Sequence, residues 1–179
     1  QHRFPERTRA ILKSQHTGVH STAQNLLVIY EDNHLIAVNK RSGDIVQGDK
    51  TGDAPLSDVV KEYIKHKYNK PGDVFLGVAH RIDRPVSGVV VFARTSKALT
   101  RLNELFKKRE VSKTYWAVVK NRPPSDKGVL EDALYKVPKQ NKSYVADKPR
   151  EDAKLSKLSF CLLSSSNDYH LLEIEPLTG

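Results

Sequence analysis

The sequence predicts an α+β fold, a mixed and largely antiparallel sheet with helices packed on it. Three observations carry that expectation. Short β-rich apolar runs outnumber stretches with helical periodicity, of which there are two. The runs come in the order ββαβ–βαβ followed by more strands, without the regular βα alternation of a doubly wound parallel sheet. The length of 179 residues, with 38% apolar and 28% charged content, suits one globular domain with a real core.

Residues 1–24 hold no sustained period and are rich in Gln, His, Ser, Thr and Arg, so they read as an extension or linker ahead of a domain over 25–179. His16 and His20 stand at i, i+4, the spacing of a metal pair on a helix, but a third ligand is lacking nearby and no metal is expected. LLVIYEDNHLIAVNK (26–40) is two apolar runs around Asp32-Asn33, a hairpin signal. RSGDIVQGDKTGD is polar and Gly-rich, hence a loop. Leu56, Val59, Val60, Tyr63 and Ile64 recur at helical spacing, which predicts an amphipathic helix from Pro55 to about Tyr68, ended by NKPGD.

Residues 75–79 and 88–93 read as short strands. Ser96 is placed to cap a helix whose stripe is Leu99, Leu102, Leu105 and Phe106. VSKTYWAVVK (111–120) is a strand by its β-formers. Period two puts Lys113, Tyr115 and Ala117 on one face and Thr114, Trp116 and Val118 on the other. Residues 155–163 and 169–174 form a further antiparallel pair across SSSND.

Composition narrows the function. No apolar run approaches the ~20 residues that span a bilayer, and the N-terminal stretch has no apolar secretory core. A single cysteine, Cys161, excludes an internal disulfide framework and fits a reducing compartment, with the cytoplasm as the expectation. Net charge is +9 with a pI near 9.6, which points to a polyanion, nucleic acid first and an acidic membrane surface second. Between His80 and Lys113 nine lysines and arginines stand against three acids. Part of that charge, Lys107-Lys108-Arg109, also suits the negative end of a helix dipole. A second basic stretch, Lys136 to Arg150, has Asp147 as its only acid and Tyr135 and Tyr144 interleaved. It reads equally as an RNA contact or as a solvated loop.

The chemistry concentrates in GVAHRIDRPVSGVVVFAR (77–94). Asp83 at a strand end, flanked by Arg81 and Arg84, is held ionised by opposite charge. Such a carboxylate suits nucleophilic or base work. Arginines beside it suit phosphate, through bidentate hydrogen bonds. The competing reading is a structural ion-pair network that pins a loop.

HRIDRPVSG followed by VVVFAR resembles the signature of the RluA-type RNA pseudouridine synthases, His-Arg-Leu-Asp, two variable residues, Thr-Ser-Gly, then an apolar strand. Ile82 stands for the Leu and Val86 for the Thr. NLLVIYEDNHLIAVNKRSG is similar to the family's opening strands, with Arg41 where Pro is usual. ARTSKALTRLNELFKKREVSKTYWAVV is similar to the helix and strand after the signature, with its Lys-x-Tyr element at Lys113 and Tyr115. SYVADK and YHLLEIEPLTG resemble later parts of the domain. The resemblance covers roughly Leu26 to Gly179.

It implies an enzyme that isomerises uridine to pseudouridine in rRNA or tRNA, without cofactor or metal, as a monomer off the membrane. Asp83 would attack the target nucleotide at ribose C1′ or the uracil ring, with elimination as a third route. Tyr115 would stack on the flipped uracil and Arg81 would hold the RNA. Arg84, Lys113, Lys107, Lys108 and Arg109 would contact the RNA backbone. The family continues after its Leu-x-Thr-Gly-like element with an Arg that pairs with the catalytic Asp, whereas this sequence stops at Leu177-Thr178-Gly179. The expectation is therefore a fragment, inactive by itself.

Three other readings are weaker. A protein-kinase loop fails because Ile82 interrupts His-Arg-Asp and the Gly-rich loop and Asp-Phe-Gly are missing. A hydrolase of glycosides or nucleosides wants a second working carboxylate near Asp83. A non-catalytic RNA-binding module using the same basic face is the main alternative, and it would not need Asp83 and Tyr115 together.

Overall fold

The structure is a computed structural model and describes residues 20–48, 52–140 and 142–178. The expected extension up to residue 19, His16 and the terminal Gly179 lie outside the described residues. The chain divides into two compact units, Gln1–Lys107 and Lys108–Gly179. The α+β expectation holds as a class, with the sheets wholly antiparallel rather than mixed among the described residues. Strands form two sheets, two helices accompany the first, and every strand pairing among the described residues is antiparallel.

In the first unit the sheet runs β1 (Val28–Glu31), β2 (Leu35–Lys40), β4 (Gly88–Ala93), β3 (Gly77–Val78). The β1–β2 hairpin turns at Asp32, as its sequence signals. The Asp32 carboxylate accepts the backbone N–H of His34 and of Leu35, at 2.7 and 2.6 Å. β2 is central and fully apolar in its middle, so Ile36 and Val38 are buried completely. They join Val90 and Phe92 of β4 with Leu56, Val60 and Ile64 of helix α1 (Leu56–Lys67) in one core.

The start of α1 lacks a side-chain cap. Its first amides are met instead by the loop that follows β2, with Leu56 N–H donating to Ile45 O (2.7 Å) and Ser57 N–H to Val46 O (3.1 Å). The C-terminal end of α1 is tied to β1 and β4 through Glu31. That carboxylate accepts from Tyr63, Lys67, Tyr68 and Arg94.

Helix α2 spans Ser96–Lys107. Its cap is Thr95 rather than Ser96, since Thr95 Oγ1 accepts the Ala98 N–H at 3.2 Å. Of the expected core stripe, Leu99, Leu102 and Phe106 are half-buried and Leu105 is exposed. Leu99 lies directly on β3, where an added Cβ at Gly77 would come within 2.7 Å of Leu99 Cδ2. The strand expected over 75–79 shrinks to those two residues of β3.

The second unit is one five-stranded sheet in the order β5 (Tyr115–Val119), β9 (His170–Pro176), β8 (Lys154–Ser165), β6 (Lys127–Val137), β7 (Lys142–Val145). The β8–β9 hairpin is the pair expected across SSSND, with a register shift between Leu162 and Ser164. The β6–β7 pair was not anticipated. Part of the basic stretch Lys136–Arg150 is thus a strand pair with a 3-10 turn at Pro138–Gln140.

Two outcomes test this packing. Gly77→Ala drives a methyl into the Leu99 side chain, including its Cβ at 3.0 Å. Overpacking of this kind costs about 1–3 kcal/mol, to be read as a lowered midpoint in chemical denaturation. Burial alone would raise the Glu31 carboxyl, but hydrogen bonds from Lys67 and Tyr68, with the charges of Lys67 and Arg94, hold it below the ordinary value. Its contribution to stability is therefore present above the ordinary carboxylate range and is lost as pH falls through the lowered value. Glu31→Gln should lower Tm at pH 7, with the gap to the parent chain closing as the melts are repeated toward pH 3.

Candidate active site

The segment His80-Arg81-Ile82-Asp83 alternates in burial along the chain. His80 and Ile82 turn inward, Arg81 and Asp83 are exposed. Ile82 packs against the core of the first unit. His80 lies against Phe106 of α2, ring centroids 4.8 Å apart. Its Nε2 accepts the Val91 N–H of β4 at 2.9 Å, which fixes the proton on Nδ1. β3 ends at Val78, so the imidazole supplies the acceptor that the next residue of a longer strand would have provided. Alternate residues of an extended segment thus serve two purposes, anchoring and presentation.

Beyond Asp83 the chain turns tightly, Val86 N–H donating to Asp83 O at 3.0 Å. This turn is fastened to the loop after β2. Gly43, at φ +97, a region that favours glycine, donates its N–H to Arg84 O (2.8 Å), and Ser42 Oγ donates to Pro85 O (2.9 Å).

The fastening centres on Lys40 at the end of β2. Its side chain is completely buried, and its ammonium donates to three carbonyls, those of Arg41 (3.0 Å), Asp44 (2.7 Å) and Arg84 (3.1 Å). Burial pulls the Lys40 ammonium down from its ordinary value, while the charges of Asp44 and Asp83 oppose that pull. The buried Asp44 carboxylate accepts both the N–H and the hydroxyl of Ser21, at 3.1 and 2.6 Å, and lies 3.2 Å from His20 Nδ1. Burial alone would raise that carboxyl, yet the hydrogen bonds from Ser21 and His20 keep it below its ordinary value. Residues 20–21 are thereby tied to the same loop, through the backbone and hydroxyl of Ser21 and the Nδ1 of His20.

The site residues expected from sequence divide as follows. Arg81, Asp83 and Arg84 share one loop of the first unit. Arg84 turns its guanidinium to Asp53, in an exposed ion pair. The side chains of Arg81 and Asp83 have no hydrogen-bonding partner among the described residues. Lys107 ends α2, and Lys108 and Arg109 follow it, exposed, with Arg109 at φ +59. Tyr115 and Lys113 belong to the second unit. Tyr115 opens β5 and is half-buried on the same sheet face as Ala117 and Val119, while Trp116 and Val118 stand exposed on the other face, as the two-residue period foretold. Lys113 lies just before the strand, not in it.

Sequence reasoning passed over Lys40, Asp44 and His80. None of the three carried a local signal of this role, and Lys40 in Asn39-Lys40-Arg41-Ser42-Gly43 reads as an ordinary solvated strand end.

Chemically, the loop presents an exposed carboxylate on a rigid backbone, close enough to a buried cation to feel its field, with an arginine on the same exposed side. Comparison with known proteins points the same way. A family model described as RNA pseudouridylate synthase matches residues 34–179. The chain is 31% identical over 153 residues to the ribosomal large subunit pseudouridine synthase C of Rickettsia prowazekii (strain Madrid E), covering 85% of this chain and 48% of the relative. It is 28% identical over 194 residues to the mitochondrial pseudouridylate synthase RPUSD4 of Bos taurus, covering 99% of this chain and 50% of the relative. Among solved structures, human RNA pseudouridylate synthase domain containing 4 superposes with a TM-score of 0.73 at 26% identity, over 88% of this chain and 62% of that one. The chain spans about half the length of the curated relatives it matches. With the matched region running from the start of β2 through β9, and the HRID loop inside it, this chain belongs to the RNA pseudouridylate synthase family, in its RluA-type branch.

Proposed function

We propose that residues 25–179 form part of the catalytic domain of a pseudouridine synthase acting on ribosomal RNA, with Asp83 as its catalytic residue. The single observation that carries this is the exposed Asp83 carboxylate, without a hydrogen-bonding partner among the described residues, on a loop locked by buried Lys40. A structural ion pair would spend that carboxylate on a neighbour; here Arg84 takes Asp53 instead. The relatives named for the ribosomal large subunit favour rRNA over tRNA as substrate.

The reaction balances without any external reagent. The C1′–N1 bond of uridine breaks, the base turns, a C1′–C5 bond forms, the C5 proton is lost and N1 regains one. Asp83 serves as nucleophile toward C1′ or the uracil ring, or assists elimination. The uridine must leave its stack to be reached. Tyr115 offers a ring face to receive it and Arg81 a guanidinium to hold the flanking backbone. Lys107, Lys108, Arg109, Lys113 and, by exchanging Asp53 for phosphate, Arg84 add backbone contacts. Lys40 supports the carboxylate at a distance, as a positioning residue. The protein works as a monomer in the cytoplasm on this reading, with the mitochondrion of the RPUSD4 relatives as the alternative that imaging of the tagged full-length protein would decide.

Two substitutions probe it. Asp83→Asn in the full-length protein should abolish pseudouridine at its target, mapped in total RNA, and leave RNA affinity within about threefold of the parent, since no phosphate contact is lost. Product formation by that variant would remove Asp83 from its catalytic role, and an unchanged pseudouridine map in cells lacking the gene would reduce the protein to an RNA-binding module. Lys40→Met removes the donor for buried carbonyls and should cost about 3 kcal/mol or more. The amides of Gly43 and Val86 should lose hydrogen-exchange protection together, because the two loops part. Loss of protection at Gly43 alone would contradict the coupling.

A further inference from the structure

The β6–β7 pair has no part in the loop around Asp83, and its construction is unusual for an edge. Among the described residues β7 pairs only with β6, and all four of its residues are exposed. An edge strand is commonly blunted by a lysine, and Lys142 would suffice for that. The pair carries more. Tyr135 and Tyr144 are cross-strand partners, their rings 6.0 Å apart between centroids and tilted by 31°. The guanidinium of Arg150 lies over the Tyr135 ring at 3.9 Å and is held there by Asp152, through Nε to Oδ1 at 2.8 Å and Nη2 to Oδ2 at 3.0 Å. Three flat groups thus adjoin one another on one face, Arg150, Tyr135, then Tyr144, and Tyr144 is 40% exposed. Its hydroxyl donates to Gln140 Oε1 at 2.6 Å, which fixes the ring. Lys142, two residues from Tyr144 and opposite Val137, shares that face, and Lys139 stands in the turn beyond.

We propose that this hairpin is a second RNA contact, with the exposed face of Tyr144 receiving an unpaired base and Lys139 and Lys142 meeting the phosphates beside it. The proposal rests on the RNA reading given above and extends it to a surface outside the Asp83 loop. Charge complementarity selects the occupant. From Lys136 to Arg150 five cations face a single acid, Asp147, and protein interfaces are depleted in lysine. A rigid aromatic beside cations is the arrangement that single-stranded RNA uses, because every base offers a π-face whatever its sequence.

The test measures fluorescence anisotropy of the whole chain with two labelled probes, a single-stranded oligouridylate and a blunt RNA duplex, over a range of KCl concentrations. Tyr144→Ala should weaken binding of the single strand by about tenfold or more and leave the duplex nearly unchanged, while Tyr144→Phe keeps the parent affinity. The double variant Lys139→Ala, Lys142→Ala should reduce the slope of log K against log salt by about 1.4 for the single strand. Both lysines are exposed, so this arm stands even if Tyr144→Ala disturbs the hairpin, which circular dichroism of each variant would reveal. Parent affinity and slope in the lysine variant, or equal losses on duplex and single strand for Tyr144→Ala, overturn the hairpin contact and leave the synthase reading intact. Failure of the unsubstituted chain to bind either RNA would overturn both, and selective binding of an acidic protein instead would assign the surface to that partner.

Discussion

The buried ammonium of Lys40 is the constraint on which the rest of the geometry around Asp83 depends. Removing a charge from water is costly, and an unpaired one would not be tolerated in a core of Ile36, Val38, Val90 and Phe92. The cost is offset by three carbonyls converging on one nitrogen. Two of them come from the loop after β2 and one from the turn after Asp83, more than forty residues on. Closing so long a loop is entropically expensive. Several short bonds repeat the closure, Gly43 to Arg84 and Ser42 to Pro85 among them. The Asp83 turn therefore inherits its position from the central strand of the sheet rather than from its own residues.

This explains which parts of the molecule were legible. Period-two alternation placed Tyr115 and Trp116 on opposite faces, and the turn chemistry of Asp32 located the first hairpin, because both are local rules acting on neighbouring residues. The alternation inside HRID was hidden. A histidine and a basic residue give no hydrophobic period, and His80 is inward only because β3 stops early and Val91 needs an acceptor. Lys40 was equally opaque, since a lysine ending a strand is ordinarily solvated and only the tertiary fold brings it three carbonyls. The β6–β7 pair was missed because its lysines and polar residues resemble a loop, while its pairing is stabilised by cross-strand tyrosines and by the neighbouring β8.

The two arginines that flank Asp83 looked equivalent in sequence and are not. Arg84 contributes through its backbone, whose carbonyl is shared by Lys40 and Gly43, and its guanidinium goes to Asp53. Arg81 has no such obligation among the described residues and stands with Asp83 on the exposed side. An arginine fixed by its main chain is suited to holding the loop. An arginine free at its head is suited to meeting a phosphate.

Why the Lys40 ammonium keeps its charge follows from hydrogen-bond arithmetic. Burial disfavours the charged amine and shifts its ammonium downward. A neutral amine, however, has two donors and a lone pair, which would point at one of three carbonyl oxygens. The acceptors around Lys40 match the three protons of the charged form and repel the neutral one. The charge that desolvation tends to remove is thus retained by the same carbonyls that position the loop, and its field reaches Asp83. One side chain thereby holds the turn that carries Asp83 and keeps a positive charge in the loop beneath it.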